Sequence, residues 1–248
     1  MCALTASHSD CQSTGAENSL SIQSDVLLLI PTLNEEAAIG QLIREAHDCG
    51  FNDILVVDGF SNDRTREIAT SMQARVVLQD FGKGKGCGVR TGMRLFLEGK
   101  SGFLAIIDGD VTNVPADLVK MISVAKSCAA DVVLGSRIRG KRERGAMPAL
   151  SVASNLTVSF LLGAKFLRRF TDVQTGYWLF TREAVRRIYP KVQSTGFEIE
   201  LELFVKILRE GLNVVETPVG FRARKGRTKF SFGMRMRNLH YAFKYLAS

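Results

Sequence analysis

The sequence has 248 residues and lacks any uninterrupted run of about eighteen apolar residues, the length that a membrane-spanning helix requires. Its nearest candidate, residues 149–167, is interrupted by polar side chains. Residues 1–24 contain no apolar segment of the kind found in signal peptides, and their polar composition predicts a flexible N-terminal tail. We therefore expect no spanning helix and one large domain, because 46% of the residues are hydrophobic and can form a substantial core.

The sequence is also poor in cysteine and histidine. Its five cysteines are widely spaced and form no CxxC pair, which argues against a disulfide framework or a zinc site and favours a reducing, cytoplasmic location. The three histidines lie outside every motif described below, so none is a candidate acid or base. No GxGxxG fingerprint is present, which argues against NAD binding.

Acidic residues are missing from one part of the chain. The net charge is +8, and residues 221–248 contain eight basic residues and no acidic one. A second basic cluster lies at residues 137–144. Such clusters suit nucleic acid, an anionic membrane surface or a phosphorylated substrate, and a solvated basic face is the simpler alternative. No nucleic-acid-binding module and no alternation of basic and aromatic residues is present, so we expect no nucleic-acid partner.

Short apolar runs alternate with amphipathic segments over the first 135 residues. This alternation predicts an α/β fold with a doubly wound, mostly parallel sheet. After Ser136 the rhythm changes, which favours a C-terminal elaboration of the same domain. The predicted strands are residues 26–30, 54–57, 75–78, 103–107, 131–134, 177–180 and 213–219. The predicted helices are residues 34–47, 65–72, 89–97, 115–127, 149–167, 182–188 and 198–209.

Two carboxylates, Asp108 and Asp110, directly follow the predicted strand 103–107. A strand that ends in this way places both side chains at the carboxyl edge of the sheet, where open α/β folds bind ligands. Carboxylate oxygens are suitable ligands for Mg²⁺ or Mn²⁺, whose remaining positions are filled by water and phosphate oxygens. The alternative is a turn, because Asp-Gly and Gly-Asp are common turn dipeptides.

Other predicted strand ends contribute to the same edge. The segment from Pro31 to Glu35 follows the first strand, and Asp58 follows the second. A carboxylate in this position can accept hydrogen bonds from a ribose or a base. The segment 82–86, GKGKG, is similar to a phosphate-binding loop but lacks the spacing and the Ser or Thr of a Walker motif.

Eight segments, in this order, resemble the motifs of the inverting GT-A glycosyltransferases of family 2. The likeness is strongest to the branch of dolichol-phosphate mannosyltransferases and polyprenyl-phosphate glycosyltransferases. It extends from about residue 26 to residue 230. The segments are IPTLNEE (30–36), VVDGFSNDRT (56–65), GKGKGCGVRTG (82–92), DGD (108–110), LGSR (134–137), DVQTGYWLF (172–180), GFEIELEL (196–203) and FRARKGRTK (221–229).

The resemblance implies a GT-A-type, Rossmann-like domain over residues 25–232. Residues 25–136 would form the nucleotide-sugar-binding half, and residues 137–232 the acceptor half. Residues 233–248, with Leu and Phe among Arg and Lys, are then predicted to form a basic amphipathic C-terminal helix.

The resemblance also implies a role for individual residues. Asp110 and Arg137 would be the catalytic residues, and Asp108, Asp110 and Thr112 would bind Mg²⁺ or Mn²⁺. The acceptor would be bound by Arg142, Arg144, Ser151 and Glu200. The nucleotide sugar would be bound by Pro31, Leu33, Glu35, Val56, Asp58, Lys85, Gly109, Arg137, Arg224 and Lys229, with Asp58 near the base and Arg137, Arg224 and Lys229 around the diphosphate.

The chain departs from the family pattern at three positions. Gly59 follows Asp58 where the family often has a second Asp, and Leu33 replaces a frequent aromatic residue. Met147 stands where the mannosyltransferase branch commonly has a basic residue that meets the lipid phosphate. Arg142 or Arg144 could replace that basic residue, or the acceptor could differ.

The resemblance implies transfer of a hexose to a polyprenyl or dolichyl phosphate. A phosphate oxygen would attack the anomeric carbon and invert it, and no strong general base is needed because the phosphate is already anionic. Mannose from GDP-mannose is the first expectation, and glucose from UDP-glucose the second. The predicted location is the cytoplasmic face of a membrane, where the protein would be peripheral, on an anionic surface or beside a membrane-anchoring partner.

Three alternatives remain open at this point. The enzyme could be soluble and use a small phosphorylated acceptor such as a glycerate phosphate. The protein could be a nucleotidyltransferase, although the segments at 196–203 and 221–229 argue against this. It could also be a subunit that binds nucleotide sugars without catalysis.

Overall fold

The structure of the protein is a computed structural model, which describes residues 23–226, 233 and 240–245. The predicted tail at residues 1–24 therefore lies almost wholly outside the described residues, as does most of the predicted helix at 233–248; residues 240–245 are helical. The strands are β1 (Val26–Thr32), β2 (Ile54–Asp58), β3 (Arg75–Leu78), β4 (Phe103–Ile106), β5 (Val132–Ser136), β6 (Trp178–Thr181) and β7 (Val214–Pro218).

The helices alternate with the strands along most of the chain. They are α1 (Ile39–Asp48), α2 (Thr65–Ser71), α3 (Lys85–Glu98), α4 (Asp117–Ser127), α5 (Ala149–Lys165), α6 (Arg182–Ile188) and α7 (Ile199–Arg209), with a 3₁₀ turn at Tyr189–Lys191. No helix of the described residues is both long and apolar enough to cross a membrane.

The strands form one sheet in the order β3-β2-β1-β4-β6-β5-β7. All neighbours are parallel except β6, which runs antiparallel to both β4 and β5. β6 and β7 belong to the second half of the chain, yet they pair with β4 and β5 of the first half. The two predicted halves therefore share one sheet, and the predicted fold class is confirmed.

Two hydrophobic layers cover the faces of this sheet, because successive strand residues point to opposite sides. In β1, Leu27 and Leu29 face the layer that contains α3, α5, α6 and α7. Leu28 and Ile30 face the layer that contains α1 and α4. The strands are buried on both faces, which explains their nearly continuous apolar sequences.

Two helices begin at other residues than the sequence predicts. α1 starts at Ile39 and not at Asn34, because Asn34 has a positive φ and its backbone N–H donates to Ser61 Oγ. α3 starts at Lys85 and not at Val89, so part of the glycine-rich segment is helical. Both differences place a loop or a helix end beside the carboxyl edge of the sheet.

Candidate functional site

Two cavities meet at the carboxyl edge of the sheet. The first, here called the sheet-edge cavity, has a volume of about 420 Å³ and lies over the ends of β1, β2 and β3. The second, here called the helix cavity, has a volume of about 570 Å³ and lies against α5 and the loop before it. Their shared wall consists of Lys85, Asp108, Asp110, Phe197 and Arg224.

Asp108 is held by a lysine in this shared wall. Lys85, the first residue of α3, places its Nζ 2.5 Å from Asp108 Oδ1 and 2.6 Å from Glu200 Oε1. Burial alone would lower the pKa of Lys85, but the two carboxylates outweigh burial and raise it above its usual value. Lys85 is thus a permanent positive charge at neutral pH.

Glu200, on α7, is the second carboxylate that forms an ion pair with Lys85. Burial raises the pKa of Glu200, the neighbouring Asp108 adds to this shift, and Lys85 opposes it. The lysine therefore compensates two carboxylates that lie in different cavity walls, one at the end of β4 and one on α7.

Asp110 is paired in a similar way with an arginine. Arg224 donates to Asp110 Oδ2 at 2.8 Å and to Glu35 Oε1 at 2.5 Å. Thr112 donates its backbone N–H and its hydroxyl to Asp110 Oδ1, at 3.1 and 2.6 Å. Arg224 Nε is buried and has no hydrogen-bond partner among the described residues. An anionic group in the sheet-edge cavity could use this donor.

The two aspartates fit a divalent cation. Both line both cavities, and each already attracts a positive side chain. The described residues contain no group of three or more His, Cys, Asp or Glu side chains placed to hold a metal. Such an ion would therefore need water and phosphate oxygens beside Asp108 and Asp110, which is the usual coordination of Mg²⁺ in nucleotide sites.

Arg137 lies in the helix cavity and not in the sheet-edge cavity. Its Nε and Nη2 donate to the two oxygens of Asp172 at 2.8 and 2.7 Å, and Nη2 also donates to Gln174 O. Asn155, on α5, donates its amide to the same carboxylate. Burial would lower the pKa of Arg137, but Asp172 raises it above its usual value.

The third nitrogen of Arg137, Nη1, donates to no acceptor within the described part of the chain, and the guanidinium lies 5.4 Å from the ring centre of Phe221. Asp172 is fully buried, so the arginine is held rigidly from behind. This arrangement presents a fixed positive charge to the helix cavity, and the expected contact of Arg137 with the donor diphosphate stays a prediction.

Helix α5 has two different faces. Ser151, Ser154, Asn155 and Val158 follow the spacing of one helical face and line the helix cavity. The opposite face is apolar and exposed: Leu150 is 67% exposed and Phe160 is 72% exposed. We call this outer surface, formed by Leu150, Leu156 and Phe160 of α5 together with Leu167 just beyond its end, the apolar stripe.

Several predicted site residues line the cavities. Pro31, Leu33, Glu35, Lys85, Gly109 and Arg224 line the sheet-edge cavity, and Thr112, Ser151 and Glu200 line the helix cavity. Gly109 has no room for a side chain, because a Cβ would lie 2.9 Å from Thr32 Cγ2.

Other predicted site residues lie elsewhere. Val56 is a fully buried β2 residue in the core, and Asp58 is fully buried beneath Ser61, which donates its N–H and hydroxyl to the carboxylate. Arg142 and Arg144 are exposed and line neither cavity. Lys229 lies outside the described residues.

The glycine-rich segment lines the sheet-edge cavity with Lys83, Gly84 and Lys85, and it also packs against the loop 194–196. A Cβ on Gly86 would lie 2.3 Å from Ser194 O, so glycine permits the loop 194–196 to approach the helix. The N–H groups of Gly86 and Cys87 donate to carbonyls of that loop. These two N–H groups are therefore already used, so any phosphate bound by this segment would be held by its other groups, such as the side chain of Lys85.

Sequence reasoning missed three groups. Asp172 lies in a recognised motif but shows its role only through its contact with Arg137 across 35 residues. Asn155 is a polar residue within an apolar helix, which was a signal for a buried partner. Gln79, which lines the sheet-edge cavity, follows a strand end like the predicted residues but carries no charge.

A family model described as glycosyl transferase family 2 matches residues 28–189 of the chain. This match covers more than half of the sequence, and it includes the ends of β1, β2, β3 and β4 that form the sheet-edge cavity. The chain therefore belongs to glycosyl transferase family 2.

Two curated relatives illustrate the likeness. A dolichyl-phosphate hexose transferase of Haloferax volcanii is 33% identical over 211 residues, which cover 83% of this chain and 86% of that protein. A polyprenol monophosphomannose synthase of Mycolicibacterium smegmatis is 29% identical over 218 residues, which cover 83% and 80% of the two chains. Some relatives are longer, since the match covers 63% of one and 54% of another.

The fold is also similar to a solved structure. Glucosyl-3-phosphoglycerate synthase from Mycobacterium tuberculosis, in complex with Mn²⁺, UDP-glucose and phosphoglyceric acid, superposes with a TM-score of 0.72 at 19% identity. The match covers 93% of this chain and 82% of that chain. The likeness confirms the GT-A fold.

Proposed function

We propose that this protein is an inverting glycosyltransferase that transfers a hexose from a nucleotide sugar to a polyprenyl phosphate. The observation that carries the proposal is the junction of two cavities at Asp108 and Asp110. A donor in one cavity and an acceptor in the other would meet at these carboxylates. Membership of glycosyl transferase family 2 and the names of the two relatives support the reaction class and the acceptor.

The sheet-edge cavity suits the nucleoside diphosphate. Pro31 and Leu33 offer apolar surface for a base, and Gly109 lines the same cavity. Arg224, with its unpaired Nε, and Lys85 can reach a diphosphate by exchanging their carboxylate partners for phosphate oxygens. A divalent cation held by Asp108 and Asp110 would neutralise charge on the leaving diphosphate.

The helix cavity suits the acceptor phosphate. Arg137 is held by Asp172 and can bind a phosphate oxygen while that oxygen attacks the anomeric carbon. The bond from this oxygen to the anomeric carbon forms as the bond to the diphosphate breaks, so the anomeric centre inverts. No base is required, since the attacking oxygen is anionic, and the chain's own contribution is positioning and charge stabilisation.

A lipid-linked acceptor is favoured over a soluble one by the surface of α5. The apolar stripe lies on the same helix as the acceptor-side residues Ser151 and Asn155. The exposed Arg142 and Arg144 lie just before this helix, and Arg168 and Arg169 lie just after it. This combination suits a peripheral position on the cytoplasmic face of an anionic membrane, where a polyprenyl phosphate would enter the helix cavity.

A soluble acceptor is the second candidate. The structural neighbour binds phosphoglyceric acid, and Met147 occupies the position where a basic residue for a lipid phosphate was expected. Transfer to a small phosphorylated acid would use the same Arg137 but would leave the apolar stripe without a role.

An assay with radiolabelled nucleotide sugars tests both candidates. The protein is incubated with Mg²⁺ or Mn²⁺, a donor panel that includes GDP-mannose and UDP-glucose, and either polyprenyl phosphate or 3-phosphoglycerate. An organic-soluble product is expected, and the productive donor identifies the sugar, with mannose as our first expectation. If only a water-soluble product forms, the acceptor is soluble; if no donor yields product with either acceptor, the proposed transferase activity is wrong.

A further inference from the structure

One polar side chain in the sheet-edge cavity has an acceptor oxygen that receives no hydrogen bond from the described residues. Gln79 directly follows β3 and is only 6% exposed. Its Nε2 donates to Gly82 O at 2.6 Å, whereas none of the described residues donates a hydrogen bond to its Oε1. A carbonyl can only accept, so the bond to Gly82 determines which end of the amide carries the oxygen. Gln79 is therefore a fixed, unpaired acceptor.

The position of this oxygen follows from two glycines. A Cβ on Gly59 and a Cβ on Gly88 would each lie 3.3 Å from Gln79 Oε1. The same hypothetical atoms would lie 3.6 Å from Leu33 Cβ and 3.4 Å from Pro31 Cβ, respectively. The oxygen thus lies beside the two apolar residues that line the cavity, and the absence of side chains at Gly59 and Gly88 leaves it uncovered.

The neighbouring carboxylate does not offer the same group. Asp58 is fully buried, does not line the cavity, and receives hydrogen bonds on both carboxylate oxygens from Ser61. Gln79 N donates to Asp58 O, so the two residues are direct neighbours across the sheet edge. Gln79, and not Asp58, presents an acceptor to this wall of the cavity.

Resting on the proposed function, we propose that Gln79 selects the nucleobase of the donor. Its Oε1 accepts a hydrogen bond from a ring N–H, which uracil carries at N3 and guanine at N1. Cytosine and adenine carry a lone pair on the corresponding ring nitrogen, so two acceptors would face each other. A buried acceptor left unpaired in this way lowers affinity by about tenfold or more.

Calorimetric titration of the full chain tests this selection. UDP, GDP, CDP, ADP and pyrophosphate are titrated in the presence of Mn²⁺. We expect UDP or GDP to bind at least about tenfold more tightly than CDP and ADP, and the better of the two identifies the base. Gln79→Met, which keeps the length of the side chain without its amide, should bring the preference close to one.

Two controls separate loss of selection from loss of structure. Pyrophosphate should bind Gln79→Met as tightly as the wild type, because it has no base that could contact residue 79. Gly59→Ala places a methyl group beside the oxygen without removing it, and it should reduce the preference to a smaller extent.

The possible failures can be distinguished. If Gln79→Met binds pyrophosphate normally and keeps the wild-type preference for UDP or GDP over CDP, the role of Gln79 is overturned while the proposed function stands. A wild type that binds all four nucleotides equally also overturns it. If the wild type binds none of the nucleotides, the proposed function fails and the inference fails with it.

Discussion

The sheet-edge cavity and the helix cavity share a wall but differ in how their charges are held. In the sheet-edge cavity, Arg224 and Lys85 each bridge two carboxylates and can exchange these for ligand oxygens. In the helix cavity, Arg137 is fixed by a fully buried carboxylate, Asp172. Under the proposed function, the cations on the donor side would exchange partners when the nucleotide binds, whereas the cation on the acceptor side is positioned in advance.

The shared wall gives the largest expected effect. Asp110→Ala should lower turnover by about 10³-fold, because the site loses a ligand of the divalent cation that would stabilise the charge on the leaving diphosphate. Initial rates at saturating donor and metal measure the effect. Glu98→Ala is a matched control, since Glu98 is exposed and, within the described part of the chain, forms an ion pair only with Arg94 on the surface of α3. Full turnover of Asp110→Ala in the presence of metal would show that the metal assignment is wrong.

Removing the carboxylate that pairs with Arg137 should lower the free energy of unfolding more than removing one that pairs with Arg224. Asp172→Asn leaves Arg137 buried without its counter-charge, and breaking such a pair costs about 3–5 kcal/mol in free energy of unfolding. Urea denaturation measures this cost. Glu35→Gln removes one of the two negative charges that pair with Arg224. This change should cost less free energy of unfolding, because Asp110 remains as a counter-charge. Equal costs for the two variants would contradict the difference between fixed and exchangeable cations.

The parts of the fold that local patterns determine were predictable from the sequence. Strands β3 and β4 were placed within a residue of their bounds, because their apolar runs are short and end at polar residues or glycine. The insertion of β6 between β4 and β5 was not predictable, since strand order depends on pairing between distant residues.

The same distinction applies to the site. Asp108 and Asp110 are predicted at the carboxyl edge of the sheet and lie there, because the end of a strand determines their position. The contact of Arg137 with Asp172 was not predictable, because it depends on how residues 172–175 pack against the end of β5. Gln79 was missed for a similar reason, since the space beside its oxygen results from two distant glycines, Gly59 after β2 and Gly88 in α3.

A kinetic experiment distinguishes the roles proposed for the two cavities. Arg137→Lys should raise the KM for the acceptor by about 10- to 100-fold, because lysine cannot keep both hydrogen bonds to Asp172 and also reach a phosphate. Binding of the nucleoside diphosphate, measured by calorimetry, should be unchanged. Arg224→Lys is the matched variant, and it should weaken nucleotide binding. The assignment of Arg137 to the acceptor would be wrong if its variant weakened the nucleotide and spared the acceptor.

The smallest expected effect concerns the apolar stripe. Phe160 is 72% exposed and projects away from the helix cavity, so Phe160→Ser should leave the fold and the chemistry intact. If the stripe enters a bilayer, loss of this ring should weaken binding to vesicles by about tenfold, which corresponds to about 1.4 kcal/mol of apolar transfer free energy. Sedimentation with vesicles containing anionic lipid measures the binding.

The outcome depends on where the acceptor is presented. With polyprenyl phosphate in vesicles, Phe160→Ser should raise the apparent KM, whereas with a short-chain, water-soluble prenyl phosphate it should match the wild type. Val119→Ser is the control, because Val119 is exposed on α4, which packs on the other face of the sheet. If both variants bind vesicles like the wild type, the stripe is not a membrane contact. The helix cavity would then be expected to take its acceptor from solution.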